Sequence, residues 1–271
     1  HNFPALDLNH ISVRNDDGVA YLEAMSPVDC IFLDPARRNE HGGKTVAISD
    51  CEPNVAELEG LLLSKANRIM IKLSPMLDLS QALKELPHTQ EVHIISVNNE
   101  CKELLLLLGQ TAPEEIPVHC VNLSTKGEQE KQLFVFTREQ EQHSECSYTD
   151  TLGNYLYEPN ASLLKAGAFR SIAAAYSVKK LHPNSHLYTS DTQIEGFPGR
   201  TFRIINRCSL NKKEIKENLS DLKKANITVR NFPATVAELR KRIKLAEGGD
   251  TYLFASTLND GQKILIRCGK V

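Results

Sequence analysis

The 271-residue sequence lacks the features that mark several broad classes of protein. Its apolar runs never exceed five residues, as in Leu104–Leu108, against the ~18 that a membrane-spanning helix requires. It does not open on the basic start, apolar middle and small-residue cleavage site of a secretory signal. Seven cysteines are scattered singly, without a C-x-x-C pair, which argues against a disulfide framework or a zinc ribbon. Nine histidines occur without an H-E-x-x-H, so no metal site is read from them. The expectation is a cytoplasmic protein with reduced thiols and no membrane partner. The first residue is His rather than Met, which reads as a cut point.

What is present is an ordinary globular composition, 41% apolar and 24% charged, long enough for about two domains. Charge is unevenly spread. Residues 200–247 hold 13 Lys/Arg and 5 Asp/Glu, while the rest of the chain carries a net −10. Such asymmetry predicts that the basic region meets a polyanion or an acidic partner, the alternative being a solvated helix face.

Periodicity predicts alternating strands and helices over the first half. Ile11–Arg14 reads as a strand, Val19–Met25 as a short helix, and Asp29–Leu33 as a strand buried on both faces. Pro53–Lys65 is helical, Arg68–Leu73 a strand, Leu79–Leu86 a helix and Glu91–Val97 a strand. Cys101–Leu108 reads as helical. Pro117–Leu123 and Gln132–Thr137 have hairpin spacing, and the polar segment 138–151 reads as a linker. Asn160–Lys180 is a helical stretch with an interruption at Gly167, and His186–Thr189 a short strand. From Thr201 a β-α-β-α-β-β module follows. Asn211 with Glu214 and Thr235 with Glu238 open its helices as capping boxes, Gly248-Gly249 ends the second, and Asn259-Asp260-Gly261 turns the last hairpin.

The sharpest feature is Asp34-Pro35-Ala36-Arg37-Arg38 after the Asp29–Leu33 strand. Ligands of open α/β sheets sit at the carboxyl ends of strands. A rigidly placed Asp34 there, followed by two arginines able to grip phosphate or carboxylate, predicts a site. Lys72 and Ser74 close the Arg68–Leu73 strand on the same side. The alternative is a capping Asp with solvated arginines.

F-L-D-P-A-R-R resembles the strand-four motif of class I S-adenosylmethionine-dependent methyltransferases, where D/N-P-P-[YF] lies beside the methyl group. Ala36 stands for the second Pro and Arg37 for the aromatic residue. The whole chain resembles a bacterial group of methyltransferase-like proteins with D-P-A-R-R, a small ferredoxin-like segment and a C-terminal THUMP-like domain. Tyr155-Leu-Tyr-Glu-Pro-Asn160 and the K-A-G-A of Lys165–Ala168 fit it. The resemblance implies an α/β fold: a truncated Rossmann-like methyltransferase domain over 1–145, a ferredoxin-like connector over 152–199 and an α+β THUMP-like domain over 200–271.

By the same resemblance, Ile11–Arg14 is strand three, Asp29–Leu33 strand four, Arg68–Leu73 strand five, Glu91–Val97 strand six and Gln132–Thr137 strand seven. Asp16 and Asp17 fall in the loop that meets adenine. Asp34 contributes to the cofactor site, and Asp34 with Pro35 shapes the methyl-transfer site. Arg37, Arg38, Lys72 and Ser74 hold substrate. The cofactor of the full-length protein is S-adenosylmethionine. Its Gly-rich turn is missing, since no G-x-G occurs, so this chain is expected not to bind the cofactor normally. Without strands one and two, strand three is expected to pair with strand four, drift, or leave an edge for self-association. The resemblance implies an RNA substrate, met through the basic 200–247 region. The other reading is a non-catalytic RNA- or partner-binding module on a methyltransferase-like scaffold, which the departures at Ala36 and Arg37 favour.

Overall fold

A computed structural model describes residues 2–37, 47–125 and 131–271. The chain divides into two compact units, residues 1–90 with 106–113, and residues 91–105 with 114–271.

In the first unit, helix α1 (Gly18–Ala24) leads to strand β1 (Val28–Leu33), helix α2 (Val55–Lys65) and strand β2 (Ala66–Leu73). β1 and β2 pair in parallel, from Val28↔Ala66 to Leu33↔Ile71, so α2 is the crossover that a parallel pair requires. Asn54 caps α2 by accepting from the Ala56 amide, and Val55 and Leu62 are buried on its inner face. Lys65 Nζ donates to the Glu23 and Met25 carbonyls at 2.9 and 2.8 Å, tying the end of α1 to the end of α2. Helix α3 (Leu79–Glu85) buries Leu79 and Ala82.

Two expectations fail here for one reason. Ile11–Arg14 forms no strand, and Val13 is 71% exposed. β1 therefore has only β2 beside it among the described strands. An edge strand is not covered as an interior one is, and Val28, Asp29, Cys30 and Phe32 are exposed rather than buried. Ile11–Arg14 thus does not take the expected place beside β1.

Strands β3 (Thr89–Val97), β4 (Glu100–Leu108), β5 (Pro117–Leu123) and β6 (Lys131–Thr137) follow. β4 corrects the helical reading of Cys101–Leu108. Leu104, Leu106 and Leu108 are buried while Leu105 and Leu107 are half-buried, a period of two that a run of identical leucines hides. Asn98 and Asn99 make the β3–β4 turn, both at positive φ (50° and 64°), the conformation of a two-residue hairpin turn. In the second unit β3 pairs in parallel with β5, and β5 pairs antiparallel with β6, as the hairpin spacing predicts.

The polar segment after β6 is more than a linker. It carries helix α4 (Arg138–His143), and the Glu141 carboxylate accepts from the Phe169, Arg170 and Ser171 amides. Strand β7 (Tyr155–Pro159) precedes helices α5 (Ala161–Ala166) and α6 (Arg170–Ala175). Gly167 at φ 77° is the break between them. Lys179 and Lys180 are not helical but form the short strand β8 (Lys179–Lys180) beside β9 (Tyr188–Ser190).

The basic module has the expected order: β10 (Gly199–Cys208), α7 (Lys212–Leu219), β11 (Asn226–Val229), α8 (Val236–Ile243), β12 (Thr251–Thr257) and β13 (Lys263–Lys270). The second sheet runs β8-β9-β7-β10-β13-β12-β11. Its faces feed two cores. Phe202, Phe254, Ile264 and Ile266 pack on one side with Leu156 and Leu187. Leu253, Ala255 and Leu265 pack on the other against Leu219 of α7 and Leu239 of α8. The Thr235–Glu238 capping box forms. The one expected at Asn211 forms only in part: Asn211 caps α7, but Glu214 turns back to the Ser209 amide and hydroxyl.

His186 makes stability in this region pH-dependent. Its ring stacks on Phe169 with centroids 3.6 Å apart. Burial, with Lys180 and Arg230 nearby, lowers its pKa from 6.5 to about 4. A depressed histidine contributes stability that is present above its unfolded value and lost as pH falls through its folded value. The window is therefore pH 6.5 down to about 4. The full shift corresponds to roughly 3 kcal/mol, which solvent screening at a half-buried ring reduces to about 1–2 kcal/mol. Denaturation midpoints across this window should drop in the native protein and flatten in His186→Asn. An equal drop in both would remove His186 from the account.

Candidate functional site

Asp34–Arg37 follow β1 as the sequence places them. Asp34 follows the last residue of β1, and Lys72 lies at the carboxyl end of β2. Because Leu33 stands opposite Ile71, the next residues along the two strands bring these side chains together. Lys72 Nζ and Asp34 Oδ2 are 2.5 Å apart, with the side chains 32% and 52% exposed. At that exposure the pair contributes about 0–1 kcal/mol to stability. Its effect is positional: a carboxylate and an ammonium are held side by side at the mouth of a parallel strand pair.

Two backbone features frame the pair. Ala36 and Arg37 form a short antiparallel bridge to Glu52 and Cys51, which fixes the chain just beyond Pro35. Ser74 Oγ accepts from the Met76 amide at 3.2 Å, so the chain turns as it leaves β2. The structure thus assembles Asp34, Pro35, Lys72 and Ser74 at two adjacent strand ends. Arg37 contributes its backbone to the bridge, and Arg38 lies outside the described residues.

Asp16 and Asp17 stand apart from that cluster in their contacts. Asp17 accepts from the Val19 and Ala20 amides at 3.0 and 2.9 Å and is the N-cap of α1. Asp16 lines a shallow cleft of about 250 Å³ with Ser12, Arg14, Gly18 and Tyr21, where the Arg14 guanidinium sits 5.1 Å over the Tyr21 ring. The donors needed to cradle S-adenosylmethionine are not assembled by these residues. Among the described residues no glycine-rich turn presents backbone amides beside Asp16 and Asp17, and one Asp17 oxygen is already committed to the cap. Among the described residues, Asp16 and Asp17 do not by themselves form a cradle for the cofactor.

In the basic module, Lys212, Lys213 and Lys216 of α7 are exposed, as are Lys223, Lys224, Lys241 and Lys244. Two of the expected contacts are structural instead. Arg240 donates to the Ala225 carbonyl at 3.2 Å, and Arg242 to the Leu210 carbonyl at 2.9 Å. Phe202 and Phe254 are buried, with ring centroids 4.9 Å apart, so they are core and not stacking platforms.

A cluster not read from the sequence joins β7 to β10 and to the end of β11. The Glu158 carboxylate, only 2% exposed, takes Arg200 on one oxygen and Arg230 on the other. Arg200 Nε reaches Oε2 at 2.9 Å, and Arg230 Nη2 reaches Oε1 at 2.9 Å. The only signal in the sequence is a lone charge inside the otherwise apolar Tyr155–Pro159 strand.

Together these features define a mixed α/β protein with two mixed sheets, whose C-terminal part falls in known domain families. Residues 155–198 match a ferredoxin-like domain family, and residues 199–270 match a THUMP domain-like family. The chain is also similar to a crystal structure described as that of a putative methyltransferase from Porphyromonas gingivalis W83. The two share 40% identity at a TM-score of 0.81, over 90% of this chain and 60% of that one. The chain thus spans less than two thirds of that neighbour's length. Among curated proteins no match was found. Among the described residues no helix is long and apolar enough to cross a membrane.

Proposed function

We propose that the full-length gene product is an S-adenosylmethionine-dependent methyltransferase acting on RNA. The 271 residues contribute the acceptor side of the site and an RNA-binding module. The observation that carries this reading is the Asp34–Lys72 pair at the carboxyl ends of β1 and β2, in a chain 40% identical to a structure described as that of a putative methyltransferase. Asp34 and Pro35 would orient the acceptor, and Lys72 would hold an acidic substrate group. Catalysis of this class rests largely on positioning. Asp16 and Asp17 would border the adenine of the cofactor.

Support for RNA as the partner comes from the exposed lysines of α7 and the segment after it, in a domain of the THUMP-like family. Contacts to phosphate release counterions, so affinity falls steeply with salt. RNA affinity should drop by about tenfold or more between low and physiological salt, and a Lys212→Ala/Lys213→Ala/Lys216→Ala triple variant should flatten that slope. A salt-independent affinity would remove the basic surface from the account.

The enzyme reading is tested by calorimetry with S-adenosylmethionine. Heat is expected from the full-length gene product and not from residues 1–271. No heat from the full-length product would leave the second reading, a non-catalytic binding module, which the Ala36 and Arg37 departures favour. Among the described residues no strand covers the outer edge of β1, which supports self-association that sedimentation would detect as a concentration-dependent dimer.

A further inference from the structure

We propose that Glu91, His93 and His119 form a binding site for a zinc-class divalent cation on the face of the β3–β5 strand pair. The site is independent of the methyl-transfer reading.

The register of the strands builds it. β3 and β5 are parallel, and His93 stands directly opposite His119. Alternation along a strand puts residues two apart on one face, so Glu91 joins the two histidines there. The imidazole rings stack with centroids 4.4 Å apart and planes 8° from parallel. Glu91 Oε2 lies 3.2 Å from His93 Nε2 and 3.8 Å from His119 Nε2. The three ligating atoms all fall within 4.8 Å of one another.

Those separations suit a shared ion once the stacked rings turn about χ2, because each imidazole binds a metal through a lone pair in its own plane. Tetrahedral zinc with bonds of about 2.0–2.1 Å places neighbouring ligand atoms roughly 3.3 Å apart, and the two carboxylate–imidazole distances bracket that value. Two imidazole nitrogens and one carboxylate oxygen are a donor set that zinc and its neighbours in the first transition row favour over calcium or magnesium. The side chains are between a quarter and a half exposed, so the remaining coordination positions face water. The same groups also have an explanation without metal, in which Glu91 accepts a hydrogen bond from the His93 ring. The two explanations differ in what an added cation does. Lys131 lies close enough to act on His119, and it opposes a second positive charge.

The test is titration of the 271-residue protein with zinc chloride, and separately with cobalt(II), in a Cys30→Ser background that removes the exposed thiol. One equivalent should bind, and cobalt should give the strong visible absorption of a low-coordinate site. His93→Ala and His119→Ala should each weaken zinc by at least the ~10–100-fold that loss of a ligand's outer-shell partner costs, and Lys131→Gln should strengthen it. Because either histidine variant could unfold the sheet, the imidazole resonances of the native protein provide a second readout. Those of His93 and His119 should shift on adding one equivalent of zinc. Absence of binding, or binding that leaves both imidazoles and both variants unaffected, would overturn the site.

Discussion

Glu158→Ala is expected to destabilise the second unit by about 3 kcal/mol, at the lower end of what removing one member of a buried ion pair costs. The carboxylate is 2% exposed, and its two arginines are 42% and 35% exposed. Removing the acid leaves both guanidinium groups without their acceptor. Their partial exposure lets water replace some of the lost bonds, which is why the lower end of the range applies. The effect should register as a fall in melting temperature of roughly 5–10 °C. Glu158 is in β7, while Arg200 is in β10 and Arg230 follows β11. The loss should therefore loosen the contact between residues 155–198 and 199–270, seen as faster hydrogen exchange along Tyr155–Pro159. Glu158→Gln should recover only part of it, because a neutral amide offers one acceptor and no charge. A variant as stable as the native protein would mean that the cluster contributes nothing net.

Gly199→Ala should have a comparable effect from steric overlap at the same joint. A Cβ built at Gly199 meets the Glu158 carbonyl oxygen at 2.1 Å and the Pro159 Cα at 2.9 Å. Both are backbone atoms of the paired strand, since Gly199 stands opposite Pro159, so no side chain can rotate away. The two strands must separate locally, and overpacking of this kind costs about 1–3 kcal/mol or more. Gly60→Ala is the control, because its Cβ meets nothing within 4 Å. There the methyl group should stabilise α2 slightly by its better helix propensity. Equal melting temperatures for Gly199→Ala and the native protein would contradict the close approach.

The C-terminal module was the most legible part of the sequence. Its helices carry caps at Asn211 and Thr235, and its last hairpin turns at Asn259-Asp260-Gly261. Each of these signals acts over three or four residues and needs no distant partner. Leu104–Leu108 was misread because five leucines satisfy both a period of 3.6 and a period of 2. Only the cover on both faces of β4 decides between them. The burial of β1 was misread because it depends on what lies beside the strand, and no described strand takes that place. Lys179 and Lys180 became a strand through pairing with Tyr188 and Thr189, a contact that local propensity does not encode.

The candidate site divides along the same line. Asp34 and Lys72 were visible because each sits at the end of an apolar run, where a parallel sheet exposes its strand ends. Glu158 was not, because its partners lie 42 and 72 residues further along the chain. Glu91, His93 and His119 were missed for a related reason. Two histidines 26 positions apart have no metal-binding spacing, and only the register of β3 on β5 makes them neighbours. Asp17 shows the opposite case. Its position before Gly18–Ala24 fits a helix cap as well as a cofactor contact, and the cap is what its bonds to Val19 and Ala20 make.

The most direct measurement of the central claim is transfer of a labelled methyl group from S-adenosylmethionine by the full-length gene product, given RNA and a protein mixture as competing acceptors. The account predicts label in the RNA, falling steeply as salt is raised and falling by on the order of a hundredfold or more in Asp34→Ala. Label confined to protein, or no label in RNA while the gene product binds the cofactor, would contradict it.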